Sequence, residues 1–282
     1  MANNKRRKVT GFINEAACLI FAALAMLVLF LILYYIFQRG IGAINLTFLS
    51  SLPTPVGIPG GGIGNALIGS SIMVGLATLL ATSVGITAAI FLDQNPQSRL
   101  ATITRSACRV LTGVPSLIKG LFIFTILVLP TGDYSALAGA IALSVVMIPF
   151  ITLSSEEMLR TVSVTWREAS YALGATKKQT VMMLILPTAA GGLSVAIMLA
   201  VALAAGQSAP VLLTALTSRF WLENLMQPTA SLPVLVYTYG ISPFSDWQQQ
   251  AWGAALVLVV IILALNVISQ LSIAIMNRRR GI

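Results

Sequence analysis

The 282-residue sequence has no histidine, two cysteines and eight acidic residues. Without histidine or a carboxylate cluster, the usual transition-metal ligand sets are missing. Cys18 and Cys108 show no CxxC spacing, which argues against a disulfide or a thiolate metal site. No Gly-x-x-x-x-Gly-Lys-Ser/Thr loop occurs, so the chain cannot bind ATP by that route. Charged residues make up 9% of the sequence against 57% hydrophobic. That balance lies outside the soluble globular range and places the chain in the membrane class, not among soluble enzymes.

What charge there is carries a sign, with a net of +9. Lys and Arg cluster at the ends of apolar runs, a distribution that suits a topology signal and no nucleic-acid face. The Lys5–Lys8 cluster precedes an apolar run with no small-residue cleavage site, so that run reads as a membrane helix and not as a signal peptide. At about 20 apolar residues per crossing, six spans are expected at 16–37, 66–92, 111–129, 136–153, 189–216 and 252–276. Pro149 and the stretch 206–210 should interrupt two of them. A cytoplasmic amino terminus leaves only Arg39 and Arg219 on the far side, with Lys119 inside a span, so both termini read as cytoplasmic.

Within the second span, Ser71 with Gly75 and Ala81 with Gly85 have small-xxx-small spacing that suits close helix packing. Two outer loops follow from this topology. The Gly- and Pro-rich segment 53–65 should hold no long helix. The segment 217–250 is rich in Trp, Tyr and Phe, as at a membrane boundary or a docking surface.

The charged inner stretch REASYALGATKKQT breaks the apolar pattern. Thr165 to Glu168 fits a capping box that starts a helix. Gly174 suits a left-handed helix end. Thr176 to Gln179 fits a second capping box, and the helix it starts is expected to stop at Pro187. The reading is a short helix, a Gly elbow and a second helix leading into the fifth span.

These residues, Glu168-Ala169-Ser170, Gly174 and Ile185-Leu186-Pro187, resemble the EAA motif of ABC importer permeases. Ser170 stands where that pattern has a second Ala. The stretches GGIGNALIGS, VPSLIKGLF, GQSAPVLLTAL, FWLENLMQP and SPFSDWQQQAW narrow the resemblance to the PstA family of phosphate permeases over nearly the whole chain.

The resemblance implies an all-α, polytopic MetI-like permease fold in a bacterial inner membrane. Its parts would be a cytoplasmic tail 1–15, a first helix and outer loop 16–64, a permease domain 65–276 with a coupling region 156–187, and a tail 277–282. Glu168, Ala169, Ser170, Gly174 and Pro187 would engage the ATPase. The implied partners are a PstC-like second permease, a PstB-like ATPase dimer holding ATP and Mg, and a PstS-like extracytoplasmic phosphate-binding protein. The chain itself would bind no cofactor and hydrolyse nothing.

The family pattern of the fifth span has an Arg and a Glu where this chain has Leu203 and Gln207. Lys119 appears instead in the third span, and a charge inside a membrane reads as functional. Lys119, Gln207 and Ser208 are therefore the candidate substrate-pathway residues. The bland alternatives are snorkelling of Lys119 to the inner interface and helix-packing contacts for Gln207. A permease for a related oxyanion, a secondary transporter and a non-transporting scaffold are the rival functions.

Overall fold

The computed structural model describes residues 2–55, 58 and 60–279, and every regular element among them is helical. In chain order these are α1 (Ala2–Gly40), α2 (Leu46–Ser50), α3 (Gly64–Gln94), α4 (Arg99–Gly113), α5 (Ser116–Thr131) and α6 (Ala136–Arg160). There follow α7 (Val164–Ala172), α8 (Lys177–Ala205), α9 (Ala209–Thr214), α10 (Leu232–Gly240) and α11 (Ser245–Arg279). Five helices are long and apolar enough to cross a bilayer: Asn14–Ala43, Gly64–Gln94, Ala136–Arg160, Lys177–Ala205 and Ser245–Ile268.

The expected third span is a broken one. α4 and α5 meet at 106° across Val114 and Pro115, the geometry of a broken span or a re-entrant loop, and the pair counts as a sixth crossing only as the former. Pro115 holds the extended conformation its ring favours (φ −53°, ψ 138°) and forces Val114 out of the helical region, so a straight 111–129 helix cannot form.

The other prolines act differently from expectation. Pro149 sits inside α6 without breaking it. Pro187 does not end a helix, because the preceding turn Thr180–Ile185 widens to a π-helix and the chain continues to Ala205. A wide turn absorbs the hydrogen bond that proline cannot donate. The fifth span is therefore Lys177–Ala205 rather than 189–216, and the run VMMLIL belongs to the span itself.

α3, α6 and α8 form the central core, where Ala77, Ala81, Met147, Ile151, Ala200 and Ala204 pack together. The packing stripe on α3 runs every fourth residue through Gly69, Met73, Ala77, Ala81, Gly85 and Ala89, all buried. A Cβ on Gly85 would stand 2.7 Å from Ile151 Cγ2, so glycine is what admits α6 there. The Ala81 and Gly85 pair thus packs as expected, whereas Ser71 and Gly75 face outward.

A second core of Phe48, Ile63, Ala66, Leu232, Leu235 and Tyr239 closes one end of the bundle. A third, of Ala89, Leu159, Val162, Val181 and Ile185, closes the other. Residues 51–55 and 60–63 carry no helix, in keeping with the reading of 53–65; positions 56, 57 and 59 of that loop lie outside the described residues. α1 stands apart. None of its most apolar stretch is buried, and it joins the bundle where Gly40 lies against Trp252 and where Tyr35 meets the edge of Trp252 at 5.2 Å.

Candidate functional site

α7 lies at the Arg160 end of the bundle, and its boundaries are set by side chains. Its cap is Ser163, whose hydroxyl accepts from the Thr165 N–H, so Thr165 lies inside the first turn and the expected box with Glu168 does not form. The second box does form: Thr176 Oγ1 accepts from Gln179 N at 3.3 Å, and Gln179 Oε1 accepts from Thr176 N at 2.8 Å. Between the helices Gly174 has φ +84°, the left-handed value at which a Cβ is strained.

One side of α7 is tied to all three core helices. Arg167 donates to both Asp93 oxygens, at 2.7 and 3.0 Å, and to the Leu159 carbonyl at 2.7 Å. These bonds reach the ends of α3 and α6. Ser170 Oγ lies 3.0 Å from the hydroxyl of buried Thr180, at the start of α8. The hydroxyl that replaces the expected Ala therefore makes a contact that alanine cannot.

The other side is bare. Glu168, Ala169 and Ala172 are exposed, as are Val164, Trp166, Tyr171 and Leu173, the last at 90%. A charged clamp on one face and uncovered apolar side chains on the other describe a rigid element whose motion reaches the core directly. Pro187 is distant in role from this surface, at the junction of the π-turn with the rest of α8.

A second fork holds the bent pair. Arg105 of α4 donates to Glu156 of α6 through Nη2 at 2.6 Å and Nε at 3.2 Å, and Arg160 adds a third bond at 2.6 Å. Breaking a buried charge pair at one partner costs about 3–5 kcal/mol, so α4 is held on α6.

Two of the candidate pathway residues, Gln207 and Ser208, occupy the break after α8. Ala205 ends the helix, Gly206 to Ser208 turn, and Pro210 opens α9. Gly120 of α5 abuts this break, since a Cβ there would stand 2.6 Å from Pro210 Cα. Lys119, beside it, is 6% exposed and has no hydrogen bond or ion pair among the described residues. One turn beyond Pro210, the Thr214 carbonyl accepts from Ser135 N, at the end of α6 opposite Glu156. Gln207 and Ser208 are half-buried in the break, while Leu203 is 41% exposed. A cation with no anionic partner among the described residues, on the turn of α5 that meets a helix break, is a candidate place for an anion.

Sequence reading missed Asp93, Arg105, Glu156 and the role of Arg167. The available signal was the position of both carboxylates near the same ends of long apolar helices, where an acid requires a partner.

Comparison with known proteins accords with this geometry. Residues 81–282 match the family described as binding-protein-dependent transport system inner membrane component. The phosphate transport system permease protein PstA of Yersinia pestis is 34% identical over 93% of this chain and 90% of its own. That of Haemophilus influenzae is 38% identical over 85% of each, and a probable PstA of Methanocaldococcus jannaschii 34% over 86% of each. Among solved structures, an inward-facing MetNI methionine ABC transporter chain superposes with a TM-score of 0.64 at 18% identity, covering 76% of this chain and 95% of that one. The fold is thus that of a MetI-type permease, carried by a multi-pass inner-membrane chain. By the extent of these matches, the chain belongs to the family of binding-protein-dependent transport system inner membrane components.

Proposed function

We propose that the chain is the permease subunit of an ATP-driven importer of inorganic phosphate and forms half of the translocation pathway. The observation that carries this reading is the bare, clamped helix α7, joined through Gly174 to α8 and through Arg167 to Asp93. The names of the relatives supply the anion. In this reading Glu168, Ala169, Ser170 and Gly174 meet a PstB-like ATPase dimer, which holds the ATP and Mg. A PstC-like second permease completes the pathway, and a PstS-like binding protein delivers phosphate from outside. Both termini lie in the cytoplasm with α7. The chain hydrolyses nothing itself.

Closure of the ATPases pushes α7, and the forks at Asp93 and the Leu159 carbonyl pass that push to α3 and α6. The bundle then alternates between outward and inward access. Lys119 attracts the anion at the break, where Gln207 and Ser208 act as neutral donors. A related oxyanion is the second reading, favoured by the neutral Leu203 and Gln207.

The test is uptake of radiolabelled phosphate, arsenate and sulfate into vesicles holding the assembled complex. Phosphate should enter with ATP, and Gly174→Pro should leave ATP hydrolysis while abolishing uptake. Unchanged uptake by that variant would sink the coupling role of α7.

A further inference from the structure

The carboxyl end of α3 and the amino end of α8 meet at one end of the bundle, where Ala89 and Val181 share a buried core. Beside that contact lies a crevice of about 340 Å³. Ile90, Gln94 and Asn95 line it from the end of α3, and Lys177, Lys178 and Met182 from the start of α8.

The lining is ordered along the helix axes. On α3, apolar Ile90 is followed one turn later by Gln94 and Asn95; on α8, Lys177 and Lys178 precede Val181 and Met182 by one turn. Because the span of α3 ends here and that of α8 begins here, both helices run from apolar to polar in the same direction. The crevice is therefore apolar at its bilayer end and cationic at the other.

The two cations are uncommitted. Neither Lys177 nor Lys178 has a carboxylate partner among the described residues, whereas Arg105, Arg160 and Arg167 are paired. Thr176 and Gln179 cap each other at the start of α8, so the charge on offer is that of the lysine side chains. Asn95 Nδ2 spends one proton on the Phe91 carbonyl and keeps a second to donate. One turn further into the span, Met182 and Met183 are 57% and 77% exposed. A free anion or an acidic peptide matches the lysines and leaves the apolar end bare. An anionic phospholipid matches both ends, its phosphodiester between the ammonium groups and its acyl chain along Ile90 and Met182. Basic pockets between spanning helices bind headgroups of this kind.

We propose that this crevice is a binding site for an anionic phospholipid, which bridges the end of α3 and the start of α8. Gln94 lines the crevice and donates to Asp93 at 2.8 Å, and Asp93 is the partner of Arg167 on α7. The headgroup therefore braces the joint to which α7 is tied. The site requires only that the chain spans a bilayer and does not rest on the importer reading.

The test keeps the full chain in detergent micelles and counts retained lipid by native mass spectrometry, after addition of phosphatidylglycerol or phosphatidylcholine with identical acyl chains. Phosphatidylglycerol should be retained about tenfold better. Lys177→Gln with Lys178→Gln should erase that preference, and Lys177→Arg with Lys178→Arg should keep it. Arg99→Gln with Arg109→Gln removes the same charge from exposed positions on α4 and should keep it as well. Equal retention of the two lipids by the unaltered chain overturns the site. So does an equal loss in the Arg99 and Arg109 variant, because the preference is then one of net charge alone. Displacement by millimolar inorganic phosphate makes the ligand a free anion, and displacement by the assembled ATPase makes the lysines a protein contact; either result overturns the lipid. Should the doubly neutral variant fail to fold, the arginine pair and the comparison between lipids still decide.

Discussion

Lys119 and Arg167 are both cations of this chain near its core, and their surroundings make them opposites. Arg167 has its charge paired with Asp93 and also donates to the Leu159 carbonyl, while Lys119 is buried without an anion. Lys119→Met should reduce phosphate uptake in vesicles tenfold or more, and Lys119→Arg should retain most of it. Equal rates for the two would remove Lys119 from the pathway. Arg167→Met leaves Asp93 as an uncompensated buried charge, at a cost of about 3 kcal/mol or more. It should lower the thermal midpoint in detergent and raise the ATP hydrolysed per phosphate moved. Asp93→Asn with Arg167→Gln should recover most of the midpoint without restoring that ratio. The sequence disclosed Lys119 as a charge inside an apolar run. It could not disclose the Arg167 and Asp93 pair, because partners 74 positions apart meet only when α3 and α6 are already packed.

At the level of elements, the Gly174 elbow, the second capping box and the break at 206–210 were legible, whereas the first cap and the effects of Pro149 and Pro187 were not. Gly174 and the Thr176 box are local chemistry, decided within five residues, and both form as read. Pro115, Pro149 and Pro187 have the same local chemistry as one another, yet one breaks a span, one is passed over and one follows a widened turn. Packing on neighbouring helices chooses between those outcomes. Gly174→Ala introduces a Cβ at φ +84°, where strain costs about 1–2 kcal/mol, but that Cβ would meet nothing within 4 Å. It should therefore lower the thermal midpoint slightly and leave coupling intact, in contrast to proline there. Ser163→Ala removes the true cap and should cost about 1 kcal/mol, whereas Thr165→Ala should cost less. The two thermal midpoints measured side by side decide which residue starts α7.

For the molecule as a whole, orientation and company matter most. The orientation proposed from the lopsided placement of Lys and Arg has α7 inside and the segment 217–250 outside. In a background with Cys18 and Cys108 replaced by serine, a membrane-impermeant maleimide should label Tyr171→Cys only after the bilayer is opened. Phe220→Cys should be labelled on intact cells, and the reverse pattern would invert the topology. α1 presents apolar side chains all round, with Phe21, Met26 and Phe30 each more than 60% exposed. Lipid or a second chain must cover that surface, so the subunit alone should aggregate when detergent is diluted and remain dispersed when co-expressed with the proposed second permease.

α3 connects the two ends of this molecule. It is a 31-residue helix with Asn65 near one end and Asp93 near the other, and Gly85 seats it against Ile151 in between. At about 1.5 Å per residue, Asn65 and Asp93 stand about 42 Å apart along that helix. In the proposed importer, a pull on Asp93 from α7 is carried along this one unbroken helix to the opposite end of the bundle.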